Sequence, residues 1–172
     1  MKIVSNKVLR IKRTVFFSLT VGWMAVIFLF SAQNGSHSSE TSGGLIEWLM
    51  KLFNPDFDSL SAAEQDSIVA SWQFFVRKAA HFSAYAILGV LSTLSFDTVR
   101  LKKPLYFALP TLLSLGYAAL DEFHQTFVPG RAGRVTDVLI DLSGAVVGIL
   151  VVRLTLFLIR KRAKANKKDF VD

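Results

Sequence analysis

Side chains that can bind an anion or transfer a proton are concentrated in three short segments of this sequence. In the first segment, Arg77, His81 and Tyr85 are spaced by four residues, so one face of a helix would present all three. Lys78 places a second cation beside that face. Guanidinium and ammonium groups bind phosphate or carboxylate, and an imidazole transfers protons near neutral pH. The segment therefore predicts anion binding together with acid–base chemistry.

The second segment places carboxylates at the end of an apolar stretch. Asp121 and Glu122 lie four and three residues before Gln125, so the three side chains share one side of a helix. His124 points to a different side, where we expect a solvated position near the membrane surface. A carboxylate at such a place either pairs with a cation or takes part in function.

The third segment begins in a turn that contains Arg131. Asp137 and Asp141 then start a stripe that continues through Gly144 and Gly148, at spacings of four, three and four. Small residues at this spacing let another helix approach closely, so the two aspartates must face protein or water.

These residues receive provisional roles. Burial and mutual proximity can move carboxyl and imidazole pKa values toward neutrality, so the acid–base candidates are His81, Asp121 and Glu122. The residues assigned to binding an anionic substrate are Arg77, Lys78, Tyr85, Gln125, Arg131, Asp137 and Asp141. Structural ion pairs, Arg77 with Asp121 or Arg131 with Asp137, are the alternative.

We assign no metal and no cofactor to the chain. A metal site built from His81, Asp121, Glu122 and His124 stays open as an alternative, although no pair shows the HExxH spacing. The absence of cysteine excludes disulfides and thiolate ligands.

The elements that must position these segments are membrane helices. Four apolar stretches, 14–32, 79–96, 104–120 and 138–159, approach the ~20 residues needed to cross a bilayer. Each must be helical, because lipid offers no partners to backbone polar groups. The predicted fold is an all-α polytopic membrane protein with four transmembrane helices and a short amphipathic helix in the first outer loop.

Basic and acidic connections alternate along the chain. The segments 1–13, 97–103 and 160–172 are mainly basic, whereas 33–72 contains six carboxylates and one lysine. This positive-inside pattern predicts cytoplasmic termini in the inner (plasma) membrane, and it accounts for the net charge of +7 without nucleic acid. We divide the chain into a basic cytoplasmic N-terminus 1–13, a membrane domain 14–160 with outer loop 33–72, and a basic tail 161–172.

Within the outer loop, the Gly- and Ser-rich stretch 33–44 predicts an irregular loop. Apolar residues at helical spacing then predict a surface helix over 45–53, ended by Asn54-Pro55. Ser61 and Glu64 form a capping-box pattern at the start of the next helix. Pro104 and Val135 mark the starts of the last two helices.

This topology brings all three polar segments to the outer ends of the last three helices. It therefore predicts one shared pocket at the outer leaflet, with membrane lipids as expected partners.

The order and spacing of these motifs resemble the VanZ-like membrane protein family. The matching stretches are Ile27–Gln33, Arg77–Tyr85 with Leu88-Gly89, Asp121–Gln125, Pro129–Arg131, and Asp137 through Asp141 to Gly144 and Gly148. The resemblance implies an envelope function, with a lipid-linked cell-wall intermediate as the expected partner, and a link to resistance against the glycopeptide teicoplanin. A small transporter or proton-coupled protein and a structural, partner-binding protein stay open as alternatives, and enzymatic activity is undecided.

Overall fold

The computed structural model describes residues 6–168, and these form an all-α structure, as predicted. The helices are α1 Asn6–Ser31, α2 Gly35–Phe53, α3 Ala62–Asp97, α4 Leu105–Gln125 and α5 Val135–Lys168, with a 3-10 turn at Phe57–Ser59. The predictions for the basic ends fall partly on residues 1–5 and 169–172, which lie outside the described residues.

Three helices, α1, α3 and α5, are long and apolar enough to cross a membrane. The fourth predicted span, α4, does not meet the same criterion. Residues 105–120 contain no charged side chain, but the last turn contains Asp121, Glu122 and His124, which lower the hydropathy of the helix as a whole. Three of the four predicted spans are therefore supported by length and composition.

The prediction of an irregular loop over residues 33–44 is wrong, because α2 already begins at Gly35. The Asn34 side chain caps this helix by accepting a hydrogen bond from the His37 backbone at 2.8 Å. Ser42 and Gly43 are buried, and their small size lets α2 pack against α3. Tertiary contact thus outweighs the low helix propensity of these residues. The predicted end of the helix at Phe53 is correct.

The α3 helix runs without interruption from its start to Asp97, and the predicted capping box between Ser61 and Glu64 is present. The predicted close approach at the glycine stripe is also confirmed. A Cβ atom at Gly144 would collide with the carbonyl oxygen of Phe82, and one at Gly148 with that of Ala86. The absence of these side chains lets α5 lie directly against α3.

The remaining contacts set the directions of the helices. The Trp23 indole donates to the Ala84 carbonyl at 2.8 Å, which ties α1 to α3. The Tyr117 hydroxyl donates to the Met24 carbonyl at 2.5 Å and ties α1 to α4. The start of α3 and the end of α1 therefore lie at one end of the bundle, together with the end of α4 and the start of α5.

The opposite end of the bundle has its own ionic cluster. The Arg153 guanidinium lies 3.2 Å from the Asp97 carboxylate and also donates to the Tyr106 carbonyl. Arg160 contacts the same carboxylate at 3.1 Å. These pairs join the last turns of α3 to the first turn of α4 and the end of α5.

Candidate functional site

Four side chains that can act as acids or bases meet at the end of the bundle where α1 and α4 end and α5 begins. They come from three helices. His81 comes from α3, Asp121 and Glu122 from the last turn of α4, and Asp141 from α5. Each can offer a nitrogen or oxygen atom such that all four atoms lie within 4.8 Å of one another. The three carboxylates are almost fully enclosed, with 3%, 4% and 0% exposure in chain order. We name this group the carboxylate cluster.

Hydrogen bonds from neighbouring elements hold part of this cluster. The Ser31 hydroxyl, at the end of α1, donates to Asp121 Oδ2 at 2.8 Å. The Gln125 amide lies 3.4 Å from both Asp121 Oδ2 and Glu122 Oε1. The backbone N–H of Arg134 donates to Glu122 Oε2 at 2.9 Å. These donors position two of the carboxylates and leave other oxygens without partners.

Several buried polar atoms in and beside the cluster have no hydrogen-bond partner among the described residues. His81 Nδ1 lies 3.4 Å from Asp141 Oδ1, but the two atoms do not have hydrogen-bond geometry. Neither Asp141 oxygen has a hydrogen-bond partner, and Asp121 Oδ1 and the Tyr85 hydroxyl also lack one. Buried polar groups without partners are costly, so an additional ligand or proton is required here.

The cations around the cluster have partners other than those considered from the sequence. Lys78 forms an ion pair with Asp137 at 2.5 Å. Arg131 donates to the Gln33 and Phe30 carbonyls at 3.0 and 3.1 Å, which fastens the turn before α5 onto the end of α1. Burial lowers the pKa of the Arg131 guanidinium, and the nearby charge of Arg77 lowers it further.

The two alternative ion pairs do not form among the described residues. Neither the Arg77–Asp121 pair nor the Arg131–Asp137 pair is present, and Arg77 has no carboxylate within ion-pair distance. Instead, α3 presents Lys78 to Asp137 of α5, and Arg77 lines both of the cavities described below.

Two cavities adjoin the cluster. The first, which we name the apolar groove, has a volume of about 350 Å³ and lies between α1, α2 and α3. Its walls are mainly apolar and include Trp23, Ile27, Leu45, Val76 and Ala84.

The second, which we name the cationic cavity, has a volume of about 470 Å³ and lies beside the turn that precedes α5. Besides His81, the lining of this cavity contains one carboxylate, Asp137, and four cationic side chains: Arg77, Lys78, Arg131 and Arg134. Three residues line both cavities, namely Arg77, His81 and Arg131.

The structure places all the nominated residues except Tyr85 at one end of the bundle, in two environments. His81, Asp121, Glu122, Gln125 and Asp141 form the cluster and its nearest donor. The nominated cations and Asp137 line the cationic cavity.

Tyr85 lies deeper, fully buried in the apolar core. His124 stands apart, with its ring 4.8 Å from that of Phe28, as expected from its different side of α4, although it is only partly exposed.

The sequence analysis missed the contribution of α1. Ser31, the last residue of α1, and the backbone of Gln33, in the turn after it, reach a site from which we had left α1 out, and Arg134 contributes through its backbone. The available signal was the stretch Ile27–Gln33, which had already been matched to the resembling family without a role.

A family model described as VanZ/LLP1 matches residues 16–158. The chain belongs to this family. The matched range includes the whole carboxylate cluster and both cavities, so the resemblance inferred from the motifs is confirmed. No curated protein and no solved structure matches the chain.

Proposed function

We propose that this VanZ/LLP1 member is a cell-envelope protein of the plasma membrane that binds an anionic amphiphile, such as a lipid-linked cell-wall intermediate, at the outer leaflet. The apolar groove holds the hydrocarbon part and the cationic cavity holds the phosphate or carboxylate. The observation that carries the proposal is the junction of the two cavities at Arg77, His81 and Arg131. Such a junction suits a ligand that is apolar at one end and anionic at the other.

The charges of the cationic cavity support this assignment. Lys78 is already paired with Asp137, whereas Arg77 has no carboxylate partner among the described residues. Arg131 uses two of its donors on backbone carbonyls and keeps its charge in the cavity. Guanidinium groups bind phosphate in a fixed geometry, so Arg77 and Arg131 are the proposed headgroup ligands.

We propose further that α4 crosses the membrane as the fourth span. Its 21 residues extend about 31 Å at 1.5 Å per residue, which matches the hydrocarbon thickness. Its start lies beside Arg153, and its end lies beside Ser31 of α1. The carboxylates that lower its hydropathy face the protein interior, and both termini are then cytoplasmic.

A proton-coupled or transport function has less support. The helix segments 14–30, 82–96, 105–120 and 142–152 connect the two ends of the bundle and contain no Asp, Glu, Lys, Arg or His. A relay of ionisable groups would need members at these depths.

The test compares a polyprenyl phosphate with the matching polyprenol, each offered to the purified full-length protein in nanodiscs. We expect the protein to bind the phosphate about tenfold or more tightly than the polyprenol. A tenfold difference in affinity corresponds to about 1.4 kcal/mol, which a single charge-assisted contact can supply. Arg77→Gln should remove that preference without weakening polyprenol binding, whereas Arg100→Gln at the opposite end should change neither. Ala80→Trp, which fills the groove, should weaken binding of both lipids, and Ala63→Trp at the exposed start of α3 should not.

Equal binding of the two lipids by the unaltered protein would contradict the proposal. The same variants also have a cellular readout in teicoplanin susceptibility, the phenotype implied by the family resemblance. If the phenotype depends on headgroup binding, Arg77→Gln abolishes it while the protein remains in the membrane.

A further inference from the structure

The carboxylate cluster carries more negative charge than its neighbours offset. Asp121, Glu122 and Asp141 are enclosed, and His81 is the one basic side chain within the group. The nearest other cations act elsewhere, because Lys78 pairs with Asp137 and Arg131 binds backbone carbonyls. Buried carboxylates without a cation are strongly disfavoured, so the arrangement calls for an additional positive charge.

The orientation of the unsatisfied atoms gives an independent indication of a ligand. Asp141 has no exposed surface, yet neither of its oxygens has a hydrogen-bond partner, and Asp121 Oδ1 is also unpartnered. The other oxygen of Asp121 accepts from Ser31, and the two oxygens of Glu122 accept from the Gln125 amide and the Arg134 backbone. These donors orient Asp121 and Glu122, and the unpartnered oxygens of Asp121 and Asp141 are available to a common partner.

We propose that His81, Asp121, Glu122 and Asp141 bind a divalent metal ion, of the Mn²⁺ or Zn²⁺ class. Three carboxylates and one imidazole form a donor set that suits these ions, since oxygen ligands favour Mn²⁺ and imidazole favours Zn²⁺. This proposal replaces our sequence-based assignment of no metal. The proposed ligands do not form a short metal-binding motif in the sequence, because they come from three different helices.

The dimensions of the cluster fit this ion. The four donor atoms lie within 4.8 Å of one another. Two ligands on opposite sides of a six-coordinate ion such as Mn²⁺, at bonds of about 2.2 Å, are separated by about 4.4 Å, and two ligands of a tetrahedral Zn²⁺ by about 3.5 Å. The side chains would therefore have to move by a few tenths of an ångström for the six-coordinate ion and by about 1 Å for the tetrahedral one. Ser31, Gln125 and the Arg134 backbone would act as the outer donors that hold metal-binding carboxylates in place.

The position of the ion would connect it with both cavities. His81 lines the apolar groove and the cationic cavity, so an ion beside it is within reach of a headgroup in either. Metal binding does not depend on the proposed amphiphile, however, and it is measured without any phosphorylated lipid.

The experiment uses the purified full-length protein in detergent, stripped of metal with EDTA and then equilibrated with Mn²⁺ or Zn²⁺ alone. We expect a single tightly bound ion per chain, counted by elemental mass spectrometry. Asp141→Asn should lower the affinity by about tenfold or more, in the range typical of lost metal-site contacts. Asp66→Asn, the same change at an exposed position of α3, should leave it unaltered.

Pulsed electron paramagnetic resonance of bound Mn²⁺ separates this site from adventitious binding. The unaltered protein should show a ¹⁴N coupling from the imidazole, and His81→Gln should lose it. Binding of neither ion at stoichiometric level, or equal affinities in Asp141→Asn and Asp66→Asn, would overturn the proposal. If Asp141→Asn fails to fold, the ¹⁴N coupling of the unaltered protein decides, and its absence counts against the site.

Discussion

At the scale of single residues, the site depends on carboxylates that are enclosed but incompletely satisfied. Of the two aspartates, Asp121 is the better supported, because Ser31 donates to one oxygen at 2.8 Å from a different helix. Asp141 has no such donor among the described residues, and His81 Nδ1 lies 3.4 Å from its Oδ1. The two aspartates therefore divide into one that the fold positions directly and one whose oxygens lack a donor.

Removal of the Ser31 hydroxyl tests this division. Ser31→Ala should lower the unfolding free energy by about 1–3 kcal/mol, because it leaves a buried carboxylate oxygen without its donor. Ser143→Ala removes an exposed hydroxyl that bonds only within its own helix, so it should have little effect. Thermal unfolding of the purified protein in detergent makes the comparison. Equal melting temperatures for the two variants would show that Ser31 does not support the site.

At the scale of elements, the contact between α3 and α5 determines which side chains meet. Gly144 and Gly148 bring α5 against the α3 backbone, and this approach places Asp141 beside His81 and Asp137 beside Lys78. A wider separation would move both pairs out of contact. The glycines thus act at a distance from the cluster, through the spacing of the helices that carry it.

Substitution of Gly148 should therefore disturb both stability and the site. Gly148→Ala places a Cβ against the Ala86 carbonyl oxygen, and overpacking of this kind costs about 1–3 kcal/mol. Gly116→Ala in α4 meets open space, and the gain in helix propensity should stabilise the protein by up to about 1 kcal/mol. The two variants should shift the melting temperature in opposite directions. Shifts of the same sign and size would contradict the packing argument.

At the scale of the whole molecule, the two ends of the bundle differ in chemistry. One end holds the carboxylate cluster and both cavities, and the other holds the Asp97 pairs with Arg153 and Arg160. If α4 crosses the bilayer, the connections before and after it lie on opposite sides of the membrane. The orientation of the site therefore depends on this helix, whose composition supports a span least well.

The lack of cysteine in the sequence makes this orientation simple to measure. Single cysteines at Ser36, Lys103 and Ala132, all exposed, can be labelled in intact cells with a maleimide that does not cross membranes. We expect labelling at Ser36→Cys and Ala132→Cys, and at Lys103→Cys only after the cells are permeabilised. Equal access to Lys103→Cys and Ala132→Cys in intact cells would show that α4 does not span.

Local sequence patterns were sufficient to predict much of the fold. Apolar length, the Ser61–Glu64 capping box and Pro104 located the long helices, because these signals depend on residues within one or two turns. The spacing of polar residues also indicated which side chains share a helical face, and the glycine stripe indicated a close helix contact. Such features need no knowledge of the neighbouring helix.

The partners of those side chains were decided by the tertiary structure alone. The sequence offered Arg131 as a partner for Asp137, but the rotation of α3 presents Lys78 instead. The sequence analysis assigned no role to Ser31 and predicted a loop where α2 begins. The contact made by Ser31 and the start of α2 both depend on packing against other helices. An ion pair or a shared cluster is set by the rotation and axial shift of each helix, and these follow from the fit of whole surfaces rather than from spacing along one chain segment.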